Sequence, residues 1–123
     1  MVRPLFDTNI LVDYLNGVPE ARKELALYDD WGISIVTWME VMIGADEETE
    51  AATRRFLAGF DVFPIDDAVA ERAVSIRRER RLKLPDAIIH ATASAHAMLL
   101  VTRNEKDFPW AAPGIRVPYR LKP

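Results

Sequence analysis

The sequence predicts an α/β protein with a mainly parallel central sheet that helices cover on both faces. Short stretches rich in β-branched and apolar residues alternate along the chain with longer segments of helical periodicity. Parallel strands need a crossover connection, which is usually a helix, so this alternation favours a parallel sheet. Five of the short stretches predict strands, and 123 residues suffice for one domain with a single core.

The first part of the chain predicts one strand and two helices. Residues 2–6 form the strand, and residues 9–17 form a helix that Gly17 ends. The apolar stripe of this helix consists of Ile10, Leu11, Tyr14 and Leu15. Pro19 suits the first turn of the second helix, which continues through residues 20–28. The side chains of that helix expected to face inwards are Leu25 and Tyr28.

The middle of the chain predicts two strands and two helices. Residues 32–36 form a strand by their β-branched content, and Thr37 begins a helix that ends at Gly44. The segment 46–60 places acids early and arginines late, which predicts an exposed amphipathic helix. Residues 61–65 form the next short strand.

The last part of the chain predicts two helices and two strands. Asp66 or Asp67 caps the first of these helices. The core residues of that helix are Val69, Ala73 and Ile76. Pro85 opens a helix over residues 85–97 that is apolar nearly all round, so we expect it to be buried. The two strands and the irregular loop between them lie at residues 98–102, 114–118 and 108–114.

The composition excludes several kinds of chemistry. The sequence has no cysteine, which rules out disulfides, thiolate catalysis and Cys-ligated zinc and is typical of a reducing compartment. Asp7 interrupts the N-terminal apolar residues too early for a signal peptide. No apolar run approaches the roughly 18 residues of a membrane helix. We therefore expect a cytoplasmic protein with no membrane partner.

The charge of the chain is uneven. A formal net charge of -3 gives no overall sign of a nucleic-acid-binding protein. Between Arg72 and Lys83, however, six cations accompany a single acid, Glu79. This segment is either a solvated helix face whose cations stabilise a helix C-terminus, or a surface that contacts phosphates. The candidate phosphate contacts are Arg77, Arg78, Arg80, Arg81 and Lys83.

Carboxylates follow the predicted strands at the edge where parallel sheets bind ligands. Asp7 follows the first strand, and Glu40 lies one turn into the helix after the second. Asp107 lies in the loop after the strand at 98–102, so we expect these three acids to lie close together. Asp86 does not directly follow a strand, so the predicted elements do not place it with the others.

Each acid also has a structural explanation. Asp7 could be an N-cap, and Thr37 with Glu40 matches a capping box. Asp86 and Asp107 occupy positions that helix dipoles and turns favour. Several carboxylates that share one site, however, repel one another unless a cation neutralises them. Oxygen ligands without His or Cys select Mg²⁺ or Mn²⁺, and such ions typically catalyse phosphoryl transfer.

The remaining polar residues do not indicate another catalytic site. His90 and His96 are six residues apart on one predicted helix, so they point to different sides, unlike a zinc-binding pair. We expect both at the helix surface or the edge of the core. The serines lack a nucleophile-elbow context, and the five glycines are scattered singly, so no phosphate-binding loop is present.

Four motifs occur in a characteristic order, and they are "FDTNIL", "SIVTWMEVMIG", "LKLPDAIIHATA" and "LLVTRNEKDF". Together they resemble the PIN-domain ribonucleases and, among them, the VapC toxins of toxin-antitoxin pairs. The similarity extends from residue 5 to about residue 117. It implies a three-layer α/β/α sandwich and metal-dependent cleavage of RNA at an acidic Mg²⁺ or Mn²⁺ pocket.

The resemblance also assigns roles by motif position. The residues that match the acidic, metal-binding quartet are Asp7, Glu40, Asp86 and Asp107. Those that match the polar residues supporting the pocket are Thr8, Asn9, Thr102 and Asn104. The resemblance further implies a homodimer, and an antitoxin on a separate chain that plugs the groove. His90 stands where relatives often carry a small residue, and it either touches substrate or packs beside the site. Trp38 belongs to the core, the groove wall or a partner surface.

Two other functions stay open at this point. A phosphatase that resembles haloacid dehalogenases would use Asp7 as its nucleophile, but Asn9 stands where such enzymes have their acid/base aspartate. A PIN-like fold kept only for binding is the second alternative. All four acidic positions are retained in the sequence, which argues against a module without catalytic activity.

Overall fold

The computed structural model describes residues 2–104, 106 and 113–121, which contain five strands and six helices. The strands are β1 (Pro4–Phe6), β2 (Gly32–Ser34), β3 (Asp61–Phe63), β4 (Leu99–Val101) and β5 (Ile115–Arg116). The helices are α1 (Thr8–Leu15), α2 (Pro19–Ala26), α3 (Ile35–Ile43), α4 (Glu50–Leu57), α5 (Asp67–Arg80) and α6 (Leu84–Ala95). Of the loop predicted at residues 108–114, only Pro113 and Gly114 are among the described residues.

The five strands form one sheet in the order β3-β2-β1-β4-β5, and every pairing is parallel. In the register of the central strand β1, Leu5 lies opposite Gly32 on one side and Leu100 on the other. The predicted parallel sheet of about five strands is confirmed. Because the strands are parallel, all of their carboxyl ends lie at one edge of the sheet.

Two hydrophobic clusters cover the two faces of the sheet, where the sequence predicted a single core. Alternate residues of the strands point to opposite faces, so Leu5 and Leu100 join one cluster while Phe6 and Val101 join the other. Helices α5 and α6 contribute to the first cluster, and α1, α2 and α4 contribute to the second. Helix α3 adds Val36 to the first cluster and Val41 to the second. The three-layer α/β/α sandwich is thus confirmed.

The boundary between β2 and α3 differs from the prediction. The strand ends at Ser34, whose hydroxyl accepts a hydrogen bond from the Val36 N–H at 3.1 Å and caps α3. Thr37 therefore lies inside the helix, where it is fully buried. The predicted capping box of Thr37 and Glu40 is wrong because a side chain three residues earlier already caps the helix.

One predicted burial pattern needs correction, and another is largely confirmed. In α1, Ile10 and Leu11 are buried, but Leu15 is 44% exposed because Asp13 occupies the inward-facing position. Helix α6 is largely buried as expected, since none of residues 87–93 is exposed, although its first residue, Leu84, is 55% exposed. In α5 the three predicted core residues are buried, and Asp66 caps the helix through the Val69 N–H at 2.9 Å.

None of the helices in the described ranges is both long and apolar enough to cross a membrane.

Candidate active site

Asp7 lies where the central strand ends, at the carboxyl edge of the sheet. Its N–H donates to the Val101 carbonyl at 2.9 Å, which continues the pairing of β1 with β4 by one residue. Its extended backbone makes it the N-cap of α1. The predicted N-cap role is confirmed, but the role does not explain why the side chain is only 5% exposed.

Two hydrogen bonds fix the Asp7 carboxylate. The Thr8 N–H donates to Oδ1 at 2.7 Å, and the Thr102 hydroxyl donates to Oδ2 at 2.7 Å. Thr102 follows β4 directly and is fully buried. The residues after two neighbouring strands therefore meet, as the ligand-binding rule for parallel sheets predicts.

The predicted supporting residues surround Thr102. Its hydroxyl oxygen lies 3.5 Å from the Asn9 Nδ2 donor and accepts the backbone N–H of Asn104 at 3.0 Å. The Asn9 side-chain oxygen in turn accepts the Arg103 N–H at 3.2 Å. These contacts join the start of α1 to the segment after β4, and they involve Asn9 and Thr102 through side chains and Asn104 through its backbone.

Glu40 is connected to the same edge through Thr8. The Thr8 hydroxyl donates to Glu40 Oε1 at 2.7 Å and lies 3.0 Å from the hydroxyl of Thr37. Glu40 itself is exposed, whereas Thr37 is fully buried. One threonine thus orients Asp7 by its backbone N–H and Glu40 by its hydroxyl.

Asp86 lies in the first turn of α6 and is half-buried. Its charge acts on Asp7, whose pKa is raised from 3.8 to about 6. Burial is the main cause of this rise, the hydrogen bonds from Thr102 and Thr8 oppose it, and the charges of Asp86 and Glu40 add to it. The charge of Asp86 therefore acts on the same carboxylate as the charge of Glu40 does. The predicted secondary structure alone did not place Asp86 with these two acids.

The fourth predicted acid, Asp107, lies outside the residues that the structure describes. Within the described ranges, no three side chains of His, Asp or Glu are grouped closely enough to hold a metal ion. The donors that Asp7, Glu40 and Asp86 offer are all carboxylate oxygens, which suit hard cations such as Mg²⁺ and Mn²⁺.

Two further residues had alternative roles in the sequence analysis. His90 is half-buried and lines a groove between α5 and α6 with Arg72 and Glu79. Burial and the nearby charge of Arg80 lower its pKa. Trp38 is half-buried at the edge of the second hydrophobic cluster, with the Arg54 guanidinium 5.6 Å above its ring.

A buried ion pair next to the site is a feature that the sequence analysis missed. Asp13 is 4% exposed, and it accepts hydrogen bonds from Arg103 Nε at 2.6 Å, from Arg103 at a second nitrogen at 3.0 Å, and from the Tyr119 hydroxyl at 2.7 Å. The backbone of Arg103 also contacts Asn9. The pair therefore ties the segment that contains Thr102 to α1.

A second buried pair joins α2 to the edge strand β5. Glu24 is 4% exposed and accepts two hydrogen bonds from the Arg116 guanidinium, at 2.7 and 2.9 Å, and one from the Tyr28 hydroxyl at 3.0 Å. Burial and the Glu24 charge raise the pKa of Tyr28 to about 12. In both pairs, the sequence offers one indication of a buried ion pair, namely an acid on the inward face of an amphipathic helix.

The predicted phosphate contacts lie in the helical layer that α5 and α6 form. Arg77, Arg78 and Arg80 end α5, Arg81 follows it, and Lys83 immediately precedes α6. All five side chains are exposed. The segment leads into Asp86, three residues after Lys83.

The fold and the site together define a class: a parallel α/β sandwich with carboxylates at the carboxyl end of its central strand. Residues 5–112 match the family model of the PIN domain. The chain therefore belongs to the PIN-domain family, and the resemblance drawn from its four motifs is confirmed.

Named relatives support the same placement. Ribonuclease VapC10 of Mycobacterium tuberculosis is 33% identical over 113 aligned residues, and the match covers 85% of this chain and 85% of that one. A toxin-antitoxin complex from Klebsiella pneumoniae contains a chain that is 48% identical, with a TM-score of 0.91 and coverage of 96% of this chain and 99% of that one. A DNA-bound VapBC structure from Salmonella typhimurium has a chain with 26% identity, a TM-score of 0.76, and 94% and 96% coverage.

Proposed function

We propose that this chain is a metal-dependent endoribonuclease and the toxin of a toxin-antitoxin pair. The observation that carries the proposal is the buried Asp7 carboxylate at the end of the central strand, on which the charges of Asp86 and Glu40 act. The substrate class comes from the resemblance to VapC10, which is named a ribonuclease. The proposed catalytic residues are Asp7, Glu40, Asp86 and Asp107.

The donor chemistry fits Mg²⁺ or Mn²⁺ as the cofactor. Burial and like charges disfavour the ionised form of Asp7, and a divalent cation beside it would favour that form again. The four proposed catalytic acids would hold the ion through carboxylate oxygens. When bound, such an ion activates the attacking water and stabilises charge on the scissile phosphate and the leaving oxygen.

The polar residues of the chain orient the acids. Thr8 and Thr102 each occupy one oxygen of Asp7, which leaves the remaining lone pairs of the carboxylate for the pocket. The Thr8 hydroxyl fixes Glu40 relative to Asp7. In the reaction, water adds to the phosphorus and one P–O bond breaks, so no covalent bond to the protein is required.

An apolar groove beside Glu40 supports the proposal that this chain has a protein partner. Val12 and Leu15 of α1 help to line it, and its volume is about 360 Å³. On the adjacent α3, Met39 and Ile43 are 43% and 83% exposed. Because the similar Klebsiella chain belongs to a toxin-antitoxin complex, we propose that an antitoxin on a separate chain covers this groove. The homodimer and the cytoplasmic location stay predictions.

Cleavage of a mixed RNA pool by the isolated protein tests the proposed activity. We expect cutting with Mg²⁺ or Mn²⁺, none with EDTA, and none by Asp7→Asn under either condition. Asp66→Asn is the matched control, since it makes the same change at the N-cap of α5, and Asp66 is not among the charges that act on Asp7. It should cut like the parent. If the folded, partner-free parent cuts no class of RNA with either metal, the nuclease proposal is wrong and the binding-only alternative gains support.

A further inference from the structure

The junction between α5 and α6, defined as residues 77–83, carries five exposed cations and one acid, Glu79. Arginines that hold the fold together have carboxylate partners, as Arg103 has Asp13 and Arg116 has Glu24. Among the described residues, no junction cation forms an ion pair with a carboxylate. The positive charge of the junction is therefore available to a ligand.

Helix stabilisation explains only part of this charge. Arg77, Arg78 and Arg80 lie in the last turn of α5, where cations interact favourably with the helix dipole. Lys83, in contrast, is the N-cap of α6, where a cation is unfavourable and where Ser, Thr, Asp or Asn is preferred. The local structure of the helices therefore gives no reason for a cation at Lys83.

The backbone conformation of Arg81 likewise gives no local structural reason for an arginine at this position. Its φ of 55° and ψ of 31° lie in the left-handed region, where glycine is the favoured residue after a helix. The next residue, Leu82, is only 3% exposed and anchors the junction in the core. The anchor separates two exposed cations, Arg81 and Lys83, each at a position where another residue type would suit the chain better.

The junction borders the acidic edge, which is the carboxyl edge of the sheet with Asp7, Glu40 and Asp86. Asp86 follows Lys83 by three residues in the first turn of α6, which corresponds to about 4.5 Å along a helix axis. RNA would meet repulsion from the acids and from the net charge of -3. Cations beside the acids would compensate by contacting phosphates next to the scissile one.

We propose that Arg81 and Lys83, with the arginines at the end of α5, bind the phosphates of single-stranded RNA that flank the cleavage position. This inference rests on the proposed nuclease function. In this inference the cations position the RNA, while the acids carry out the reaction.

A pair of matched double variants tests the inference. The test variant is Arg81→Gln with Lys83→Gln, and the control is Arg55→Gln with Lys23→Gln, which removes two exposed cations from α4 and α2 on the opposite layer. Binding of a short single-stranded RNA is measured in EDTA at several salt concentrations. We expect the test variant to bind at least about tenfold more weakly and to lose about 1.4 from its salt slope, which is two phosphate contacts. The control should match the parent.

Cleavage kinetics separate this inference from the proposed function. In Mg²⁺ or Mn²⁺ the test variant should show a raised KM with kcat nearly unchanged, because the acids are intact. If the parent cleaves RNA and the test variant keeps its affinity and salt slope, the junction proposal is wrong while the nuclease stands. An equal loss in the control would show a general charge effect and also overturn it. A parent that neither binds nor cleaves RNA contradicts both.

Arg81→Gly provides a variant in which stability and binding should diverge. Glycine adopts the left-handed backbone readily, so the thermal unfolding midpoint should not fall. RNA affinity should still decrease. If the variant binds RNA as tightly as the parent does, Arg81 does not contact the RNA.

Discussion

Replacing Arg103 with methionine is expected to lower the free energy of unfolding by about 3 to 5 kcal/mol. The substitution removes both guanidinium hydrogen bonds to Asp13, at 2.6 and 3.0 Å, and leaves the Tyr119 hydroxyl as the remaining donor described there. The Asp13 side chain is 6% exposed and that of Arg103 is 32% exposed, so water can replace the lost cation only in part. A buried carboxylate without its counter-charge is far more destabilising than the loss of a surface pair.

Urea unfolding of Arg103→Met beside Arg54→Met measures this effect. Arg54 pairs with Glu50 at 3.7 Å on the exposed face of α4, and both side chains are more than half exposed. Its loss removes this pair and the contact of the guanidinium with the Trp38 ring, and should change the unfolding free energy by less than about 1.5 kcal/mol. Equal effects of the two substitutions would mean that the Asp13 pair contributes no more than a surface contact.

Replacing Asp7 with asparagine is expected to make the metal-free protein more stable at neutral pH, by up to about 3 kcal/mol. The native pKa of Asp7, about 6, exceeds its ordinary value of 3.8, mainly because of burial. The folded state therefore binds the Asp7 proton more tightly than the unfolded state does. The resulting stability is fully present below about pH 4 and is lost as the pH rises through about 6. A neutral side chain removes that loss.

Unfolding in EDTA at pH 4 and pH 7.5 checks the prediction. The advantage of Asp7→Asn over the parent should be small at the lower pH and largest at the higher one. Asp66→Asn should shift stability by less than about 0.5 kcal/mol at either pH, because Asn and Asp cap helices about equally well. A parent whose stability rises steadily from pH 4 to 7.5, with no gain from Asp7→Asn, would contradict the raised pKa.

Much of the fold followed from local patterns in the sequence. The alternation of strands and helices gave the parallel sheet, and Asp66 gave the start of α5. The end of β2 could not be placed in this way, because Ile35 and Val36 are β-branched and favour a strand in isolation. Ser34 overrides that preference, since its hydroxyl satisfies the Val36 N–H and Val36 is buried within α3.

The candidate site could be predicted in part. Asp7 follows the first predicted strand, so the sheet rule placed it at the ligand-binding edge, whereas Thr102 was assigned to the pocket only by the family resemblance. Asp86 begins a helix that no strand directly precedes, and only the family resemblance placed it with the other acids. The ion pairs of Asp13 and Glu24 escaped prediction because their arginines are 90 and 92 residues away. Which distant cation meets a buried acid depends on the completed packing.

The contact between Thr102 and Asp7 also has a consequence during synthesis. The hydrogen bond joins residues 95 positions apart, and β4, the neighbour that places Thr102, is synthesised long after β1. A ribosome-bound chain that ends before Thr102 lacks a donor to Asp7 and one of the two strands that flank β1. Prematurely terminated products of this kind should therefore be unable to organise the acidic edge.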